Sequence, residues 1–323
     1  MFLFHLPSLL PLSSLRTRTA LLLALPLALA GCASTSVTYA PVSTAFQFAD
    51  TPLTGESDSR IHHLILHYTD DDLAGSLASL TGPRVSAHYL LSAPQQSADL
   101  PRVYALVPES RRAWHAGISH WAQRDNLNDT SIGIEIVNEG PLPLEPLTAG
   151  EKDSLVPGVA RRWSPERQFA PWDEHQIQAL IALIKPMLAR HDIAPVDIIG
   201  HSDIAPDRKT DPGPRFPWQQ LHEAGIGAWP ADSDINCFRR KLTQDGMPPR
   251  HTLLKALALY GYSIDVDAPW LAIAAFQAHF RAGAITGQFD TESAAILMAL
   301  VARYRDGHEC LDTQVPLSQA PLS

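Results

Sequence analysis

Hydrophobic and polar positions along the chain follow two periods, and the change from one to the other divides it. A short apolar run from Ile61 to Tyr68 ends at the polar Thr69-Asp70-Asp71-Asp72 and predicts a strand. With a period of two, Ile61, His63, Ile65 and His67 share one face of it. Further strands are expected over 86–92 and 102–107. Residues 131–138 alternate most cleanly, with Ile132, Ile134 and Ile136 on one side and Gly133, Glu135 and Val137 on the other. A helical period then sets in over 173–190. Ile177, Leu180, Ile181, Ile184 and Leu188 form its apolar stripe, Asp173 and Gln176 resemble a capping box, and Pro186 predicts a kink. Residues 196–200 read as a buried strand that feeds a proline-rich loop over 201–218. Residues 141–171 carry many prolines and no period, which predicts a long surface loop, uncommon in a compact domain unless functional. From Cys237 onward the pattern is helical, with three short helices expected over 251–260, 269–280 and 291–304, the last capped by Asp290. The end, 311–323, reads as frayed. The fold class expected is α/β, a mixed central sheet flanked by helices up to about residue 228, followed by a small three-helix domain.

Composition changes this picture little. Of 323 residues 45% are hydrophobic and 18% charged, enough apolar material for a large and a small domain. The net charge is −9 and no Lys/Arg-rich run occurs, which argues against a nucleic-acid partner. The N-terminus is more informative. Arg16 and Arg18 precede an apolar run, Leu21 to Ala30, too short to span a bilayer and built like a secretory signal. Its ending, Leu29-Ala30-Gly31-Cys32, resembles a bacterial lipobox, which implies residues 1–31 as signal peptide and Cys32 as the lipidated first residue of the mature chain. A plain signal peptide with an incidental cysteine is the competing reading. Ala33 after the cysteine points to the outer membrane, facing the periplasm, and the Ser/Thr/Pro-rich stretch over 32–58 reads as a tether from lipid to domain. Two cysteines remain, Cys237 and Cys310. In an oxidising compartment they either pair across the C-terminal segment or stay as two buried thiols.

Candidate chemistry centres on His67, His201 and Asp211. Two imidazoles and a carboxylate hold a zinc ion and leave a fourth position open, the arrangement of a catalytic site rather than a closed structural one. Spacing alone does not single these three out from 14 histidines, and each histidine reads equally as a strand-end core residue, Asp211 before Pro212 as a turn residue. Context adds what spacing lacks. The run His201-Ser202-Asp203-Ile204-Ala205-Pro206-Asp207-Arg208-Lys209-Thr210-Asp211-Pro212-Gly213-Pro214 resembles the signature loop of the amidase-2 family of N-acetylmuramoyl-L-alanine amidases. His67-Tyr68-Thr69, Trp114-His115-Ala116-Gly117 and Leu127-Asn128-Asp129-Thr130-Ser131-Ile132-Gly133-Ile134-Glu135 resemble further family segments in the same order.

That resemblance covers about residues 44–228 and implies an amidase domain over 59–228 with one Zn²⁺ per chain on His67, His201 and Asp211. It also implies catalytic roles for Glu135 and Lys209. Glu135 lies opposite the three isoleucines, where a carboxylate beside an activated water suits a general base. Lys209 precedes a ligand by two residues, where a cation suits an oxyanion. His88, Trp114 and His115 are candidates to line the substrate groove, with simple packing as the other reading. Ala274-Ala275-Phe276-Gln277, Gly287, Phe289-Asp290 and Ala294 to Leu300 resemble a small peptidoglycan-binding module, placed over 235–310. Helical Phe and Leu stripes are also plain core. The expected function is hydrolysis of the amide between the muramic acid lactyl group and L-alanine in cell-wall turnover or recycling. The expected partners are peptidoglycan and muramyl peptides, the membrane through the lipid, and no second copy of the chain. The alternative is a non-catalytic peptidoglycan-binding lipoprotein of the same fold.

Overall fold

The computed structural model describes residues 59–94, 100–142, 163, 168–306 and 310. The signal, the tether, most of the 141–171 stretch and the 311–323 end lie outside the described residues. Five strands, β1 (His63–Tyr68), β2 (Tyr89–Leu91), β3 (Val103–Ala105), β6 (Ser131–Ile136) and β7 (Ile198–Gly200), form one sheet in the order β3-β2-β6-β1-β7. A separate ribbon pairs β4 (His120–Trp121) with β5 (Arg124–Asp125). The central β1 runs parallel to β6 and β7, β2 runs parallel to β6, and β3 lies antiparallel to β2. This is the mixed sheet expected from the pattern. The register sets His67 beside Glu135 and Leu66 beside Gly200, so the carboxyl ends of three parallel strands meet.

Alternation decides the layers. Leu64, Leu66, Ile132, Ile134, Ile136 and Ile198 face α2 (Glu174–His191), whose Ile177, Leu180, Ile181, Ile184 and Met187 complete that core. Asp173 caps α2 by accepting from the His175 and Gln176 N–H groups. The expected capping box does not close, because the Gln176 amide is buried and donates instead to the Val137 carbonyl at 2.9 Å. The cap contributes about 1 kcal/mol. Each buried Leu or Ile contributes roughly 1.5–3 kcal/mol, so packing holds this helix in place. The helix continues through Pro186, which lies on its exposed side.

The other face of the sheet presents Ile65 and Ile199 to one core shared with Ala116, Trp121, Leu127 and the C-terminal helices. That part of the chain holds α5 (Asp232–Asp245), α6 (Arg250–Tyr260), α7 (Trp270–Phe280) and α8 (Thr291–Val301), followed by a wide turn over Ala302–Asp306. The three expected helices are present, and α5 adds a fourth. It escapes the pattern because only Asp234, Ile235, Cys237 and Leu242 are buried on it. In α7 every residue from Ala272 to Phe280 is buried, which marks it as the central helix of the bundle. Gly261 and Trp121 show how closely the layers meet: a Cβ at Gly261, whose φ is +152°, would come within 2.6 Å of the Trp121 ring. Cys237 is bonded to Cys310, stapling α5 to the far end of the described chain. Among the described residues no helix is long and apolar enough to cross a membrane.

Candidate metal centre

The site forms where β1, β6 and β7 end. His67 is the fifth residue of β1. His201 follows β7 and opens α3 (His201–Ile204), and Asp211 returns from the loop beyond. All three are buried, with 1%, 3% and 5% of their surface exposed. Two contacts seat the loop against the turn. The Ser202 N–H donates to the Asp211 carbonyl at 2.9 Å, and Gly200 packs so tightly that an added Cβ would come within 2.6 Å of Pro212 Cδ. The Asp211–Pro212 bond is cis.

His67 Nδ1 lies 2.9 Å from His201 Nδ1 and 2.9 Å from Asp211 Oδ2, and His201 Nδ1 lies 3.0 Å from Asp211 Oδ2. The surrounding bonds decide what these atoms carry. His201 Nε2 faces the Ala116 carbonyl at 3.0 Å, and a carbonyl only accepts, so the ring proton sits on Nε2 and Nδ1 offers a lone pair. For His67 the assignment runs outward. The Ser131 hydroxyl donates to the Leu127 carbonyl and so accepts from His115 Nε2 at 3.2 Å. His115 Nδ1 is then the acceptor for His67 Nε2–H at 3.1 Å. Two lone pairs and a carboxylate oxygen therefore converge with no donor between them. Such a set is repulsive unless a cation or an extra proton sits among them, and two imidazoles with one carboxylate are the donor chemistry of a zinc site with an open position. Among the described residues this is the group of three that fits a metal ion.

Electrostatics agree. Burial, then the neighbouring His201, lowers His67 to about 4, which keeps it an acceptor at neutral pH. Burial and the facing imidazole of His67 hold His115 well below the usual range. Burial alone would raise Asp211, but His201 and His67 together hold its carboxyl below the usual carboxylate range. Glu135 behaves oppositely. Burial first and the Asp211 charge second push it well above the ordinary carboxylate value, against the pull of Lys209. Its Oε2 is enclosed and meets no hydrogen-bond partner among the described residues.

A cavity of about 530 Å³ opens over these groups, with Glu135, Lys209, Tyr68, Thr210 and Arg208 on its walls. The Tyr68 hydroxyl bonds Thr210 Oγ1 at 2.6 Å, and Arg208 Nη2 donates to the Ala116 carbonyl at 2.7 Å, which braces both sides of the mouth. Two imidazoles, two carboxylates and an ammonium thus surround one space. The groove candidates separate. His115 reaches the cavity but stands behind His67 as its hydrogen-bond partner. His88 is fully buried, accepting from the Gly133 N–H and donating to the Arg111 carbonyl, away from the cavity. Trp114 is 52% exposed outside the cavity wall, with the Arg112 guanidinium 4.1 Å above its ring. The pattern missed Arg208 and Thr210, which lie in the signature loop and were visible there as polar residues beside a ligand.

Residues 57–214 match a family model described as N-acetylmuramoyl-L-alanine amidase. The chain is 44% identical over 250 residues to the N-acetylmuramoyl-L-alanine amidase AmiD of Escherichia coli, a match over 76% of this chain and 84% of that protein. Its structure is similar to that of AmpDh3 from Pseudomonas aeruginosa in complex with an anhydromuramic pentapeptide, with a TM-score of 0.69 and 41% identity over 81% of this chain and 99% of that one. It is also similar to AmiD of Escherichia coli in complex with the substrate anhydro-N-acetylmuramic acid-L-Ala-D-gamma-Glu-L-Lys, with a TM-score of 0.67 and 40% identity over 81% and 97% of the two chains.

Proposed function

The chain belongs to the amidase-2 family and is an N-acetylmuramoyl-L-alanine amidase, and from that premise we propose that it works as a zinc enzyme on 1,6-anhydromuramyl peptides, with His67, His201 and Asp211 as the ligands. The observation that carries the zinc reading is the convergence of two imidazole lone pairs and one carboxylate oxygen within 3.0 Å, with no proton donor among them. The substrate reading rests on the anhydromuramyl peptides held by the two similar structures.

Zinc bound there supplies a Lewis acid for the scissile carbonyl and lowers the pKa of a water. The chain's own residues do the rest. Glu135, raised by burial and set beside His67 across the β1–β6 pair, takes the proton of the attacking water and passes it to the departing amine of L-alanine. Lys209, also on the cavity wall, offers its ammonium to the oxygen that gains charge as the carbonyl becomes tetrahedral. The C–N bond breaks, leaving a lactyl carboxylate and a free peptide amine. Incubation of the soluble protein lacking residues 1–32 with anhydromuramyl-tripeptide, followed by mass spectrometry, tests this. Release of the free tripeptide, abolished by a chelator and restored by zinc, is the expected result. Release that persists in the chelator defeats the zinc assignment.

Two further readings belong here. Cys32 carries the lipid and places the enzyme on the outer membrane facing the periplasm, supported by Leu29-Ala30-Gly31-Cys32 and Ala33. Loss of palmitate labelling in Cys32→Ser is the expected check. The C-terminal helices give a second grip on the wall, through a groove of about 500 Å³ that includes Arg250, Trp270 and Phe289. A pull-down on intact sacculi, weakened by Trp270→Ala with activity on the tripeptide retained, checks that reading.

A further inference from the structure

Asp203 is two residues past a ligand, 1% exposed, and carries no role in the chemistry above. A buried carboxylate is costly unless donors surround it. Three do. The Gly200 N–H donates to Oδ2 at 2.8 Å, within the same turn. The other two come from the C-terminal bundle: His279 Nδ1 donates to Oδ2 at 2.8 Å and the Tyr262 hydroxyl donates to Oδ1 at 2.6 Å. Both donors are themselves fixed. The His279 ring lies flat on Trp218, centroids 3.9 Å apart and planes 13° apart, and also stacks on Phe280. Tyr262 is fully buried, edge-on to Trp121 and Phe276. α7 stands directly against α3, the short turn that carries His201, and His279 reaches Asp203 across that contact.

That turn also seats the third ligand, through the Ser202 N–H to the Asp211 carbonyl and the close approach of Gly200 to Pro212. One carboxylate therefore sits where the bundle and two of the three ligands meet. We propose that Tyr262 and His279 are positioning residues for the metal centre: by gripping Asp203 they fix the Gly200–Asp203 turn, and with it the aim of His201 and the seat of Asp211. The bundle completes the active site from behind, in addition to any grip it has on the wall.

The inference rests on the assignment of His67, His201 and Asp211 as ligands, and the experiment separates the two. The zinc dissociation constant is measured by competition with a chromophoric chelator, and kcat and KM on anhydromuramyl-tripeptide at saturating zinc. Tyr262→Phe, His279→Leu and His279→Asn are compared with Leu242→Ala, a change in the bundle core on α5, and with His201→Ala. Removing an outer partner of a metal ligand typically costs ~10–100-fold in affinity or activity. Tyr262 and His279 reach the ligands only through Asp203, so Tyr262→Phe and His279→Leu are expected to raise the zinc dissociation constant by ~10-fold, the low end of that range, and to lower kcat with KM near the parent value. His279→Asn, which is close to leucine in shape and keeps an N–H where Nδ1 was, is expected to recover most of the loss. Leu242→Ala is expected to lower Tm and leave zinc affinity unchanged. Parent-like zinc affinity and kcat in Tyr262→Phe and His279→Leu overturn the proposal, as does a His279→Asn variant no better than His279→Leu. So does a loss of zinc that follows Tm alone, with Leu242→Ala on the same line. Should His279→Leu fail to fold, Tyr262→Phe, which removes one oxygen, decides. Zinc affinity retained in His201→Ala brings down the ligand assignment instead.

Discussion

Glu135 and Gly133 share a face of β6, and the difference between them defines the site. In the proposed mechanism Glu135 is the base beside the metal; replacement by glutamine keeps the shape and removes the base. The expected result for Glu135→Gln is a fall in kcat of ~10²–10⁴-fold with zinc affinity retained. A parent-like kcat in that variant would remove Glu135 from the mechanism. Gly133 needs to have no side chain, because an added Cβ would run into the His115 ring. Gly133→Ala is expected to push His115 off His67 Nε2 and weaken zinc binding by ~10–100-fold, read by chelator competition. At this scale the sequence discloses the ligands only through the motif around them; the spacing of His67, His201 and Asp211 is silent. The place of His115 could not be read at all. A histidine beside an exposed tryptophan fits a groove wall as well as an outer partner of a ligand, and the choice depends on a hydrogen bond between residues 48 positions apart.

Elements were readable where one face is apolar and the other polar. β1, β6 and α2 follow from periodicity because each is buried on a single side or stripe. The two-residue strands of the β4–β5 ribbon, the short α1 (Leu73–Leu80) and the polar α5 offer no such contrast. The joints between elements use charge. Glu109 takes bonds from Tyr89 on β2 and from Arg190 and His191 in the last turn of α2. Burial pushes its carboxyl up, but those three donors win and hold it at about 2, below its ordinary 4.5. A carboxyl lowered by folding adds stability that is complete above pH 4.5 and drains away as pH falls through about 2. Urea unfolding of the parent is expected to weaken over that window, and Glu109→Gln is expected to flatten the slope there while lowering stability at pH 7. An unchanged slope would show that Glu109 contributes nothing to it.

For the whole molecule, the proposed zinc is a ligand of the folded state alone. At a free zinc concentration about 100 times the dissociation constant it adds ~2.7 kcal/mol to stability. Calorimetry with and without a chelator is expected to show a lower Tm without zinc, reversed by adding it back; identical melts would deny the site. The sequence marks a change of element type near residue 230 but not what the two sides do to each other. The contacts that join them, Ile65 and Trp121 with Tyr262 and Phe276, link positions that no local pattern connects.

The seam between the two sides has a practical meaning for anyone who would recombine such chains. Trp229 gives its N–H to the Tyr304 hydroxyl and takes that hydroxyl's proton on its own carbonyl, so the segment leading into the helices is fastened to their far end. Cutting there and grafting on a different C-terminal segment would strip Trp121 of its cover and leave the Asp203 carboxylate with one donor in place of three. A transplant that keeps the site intact carries Asp203, Tyr262 and His279 together, the sheet and the helices as one piece.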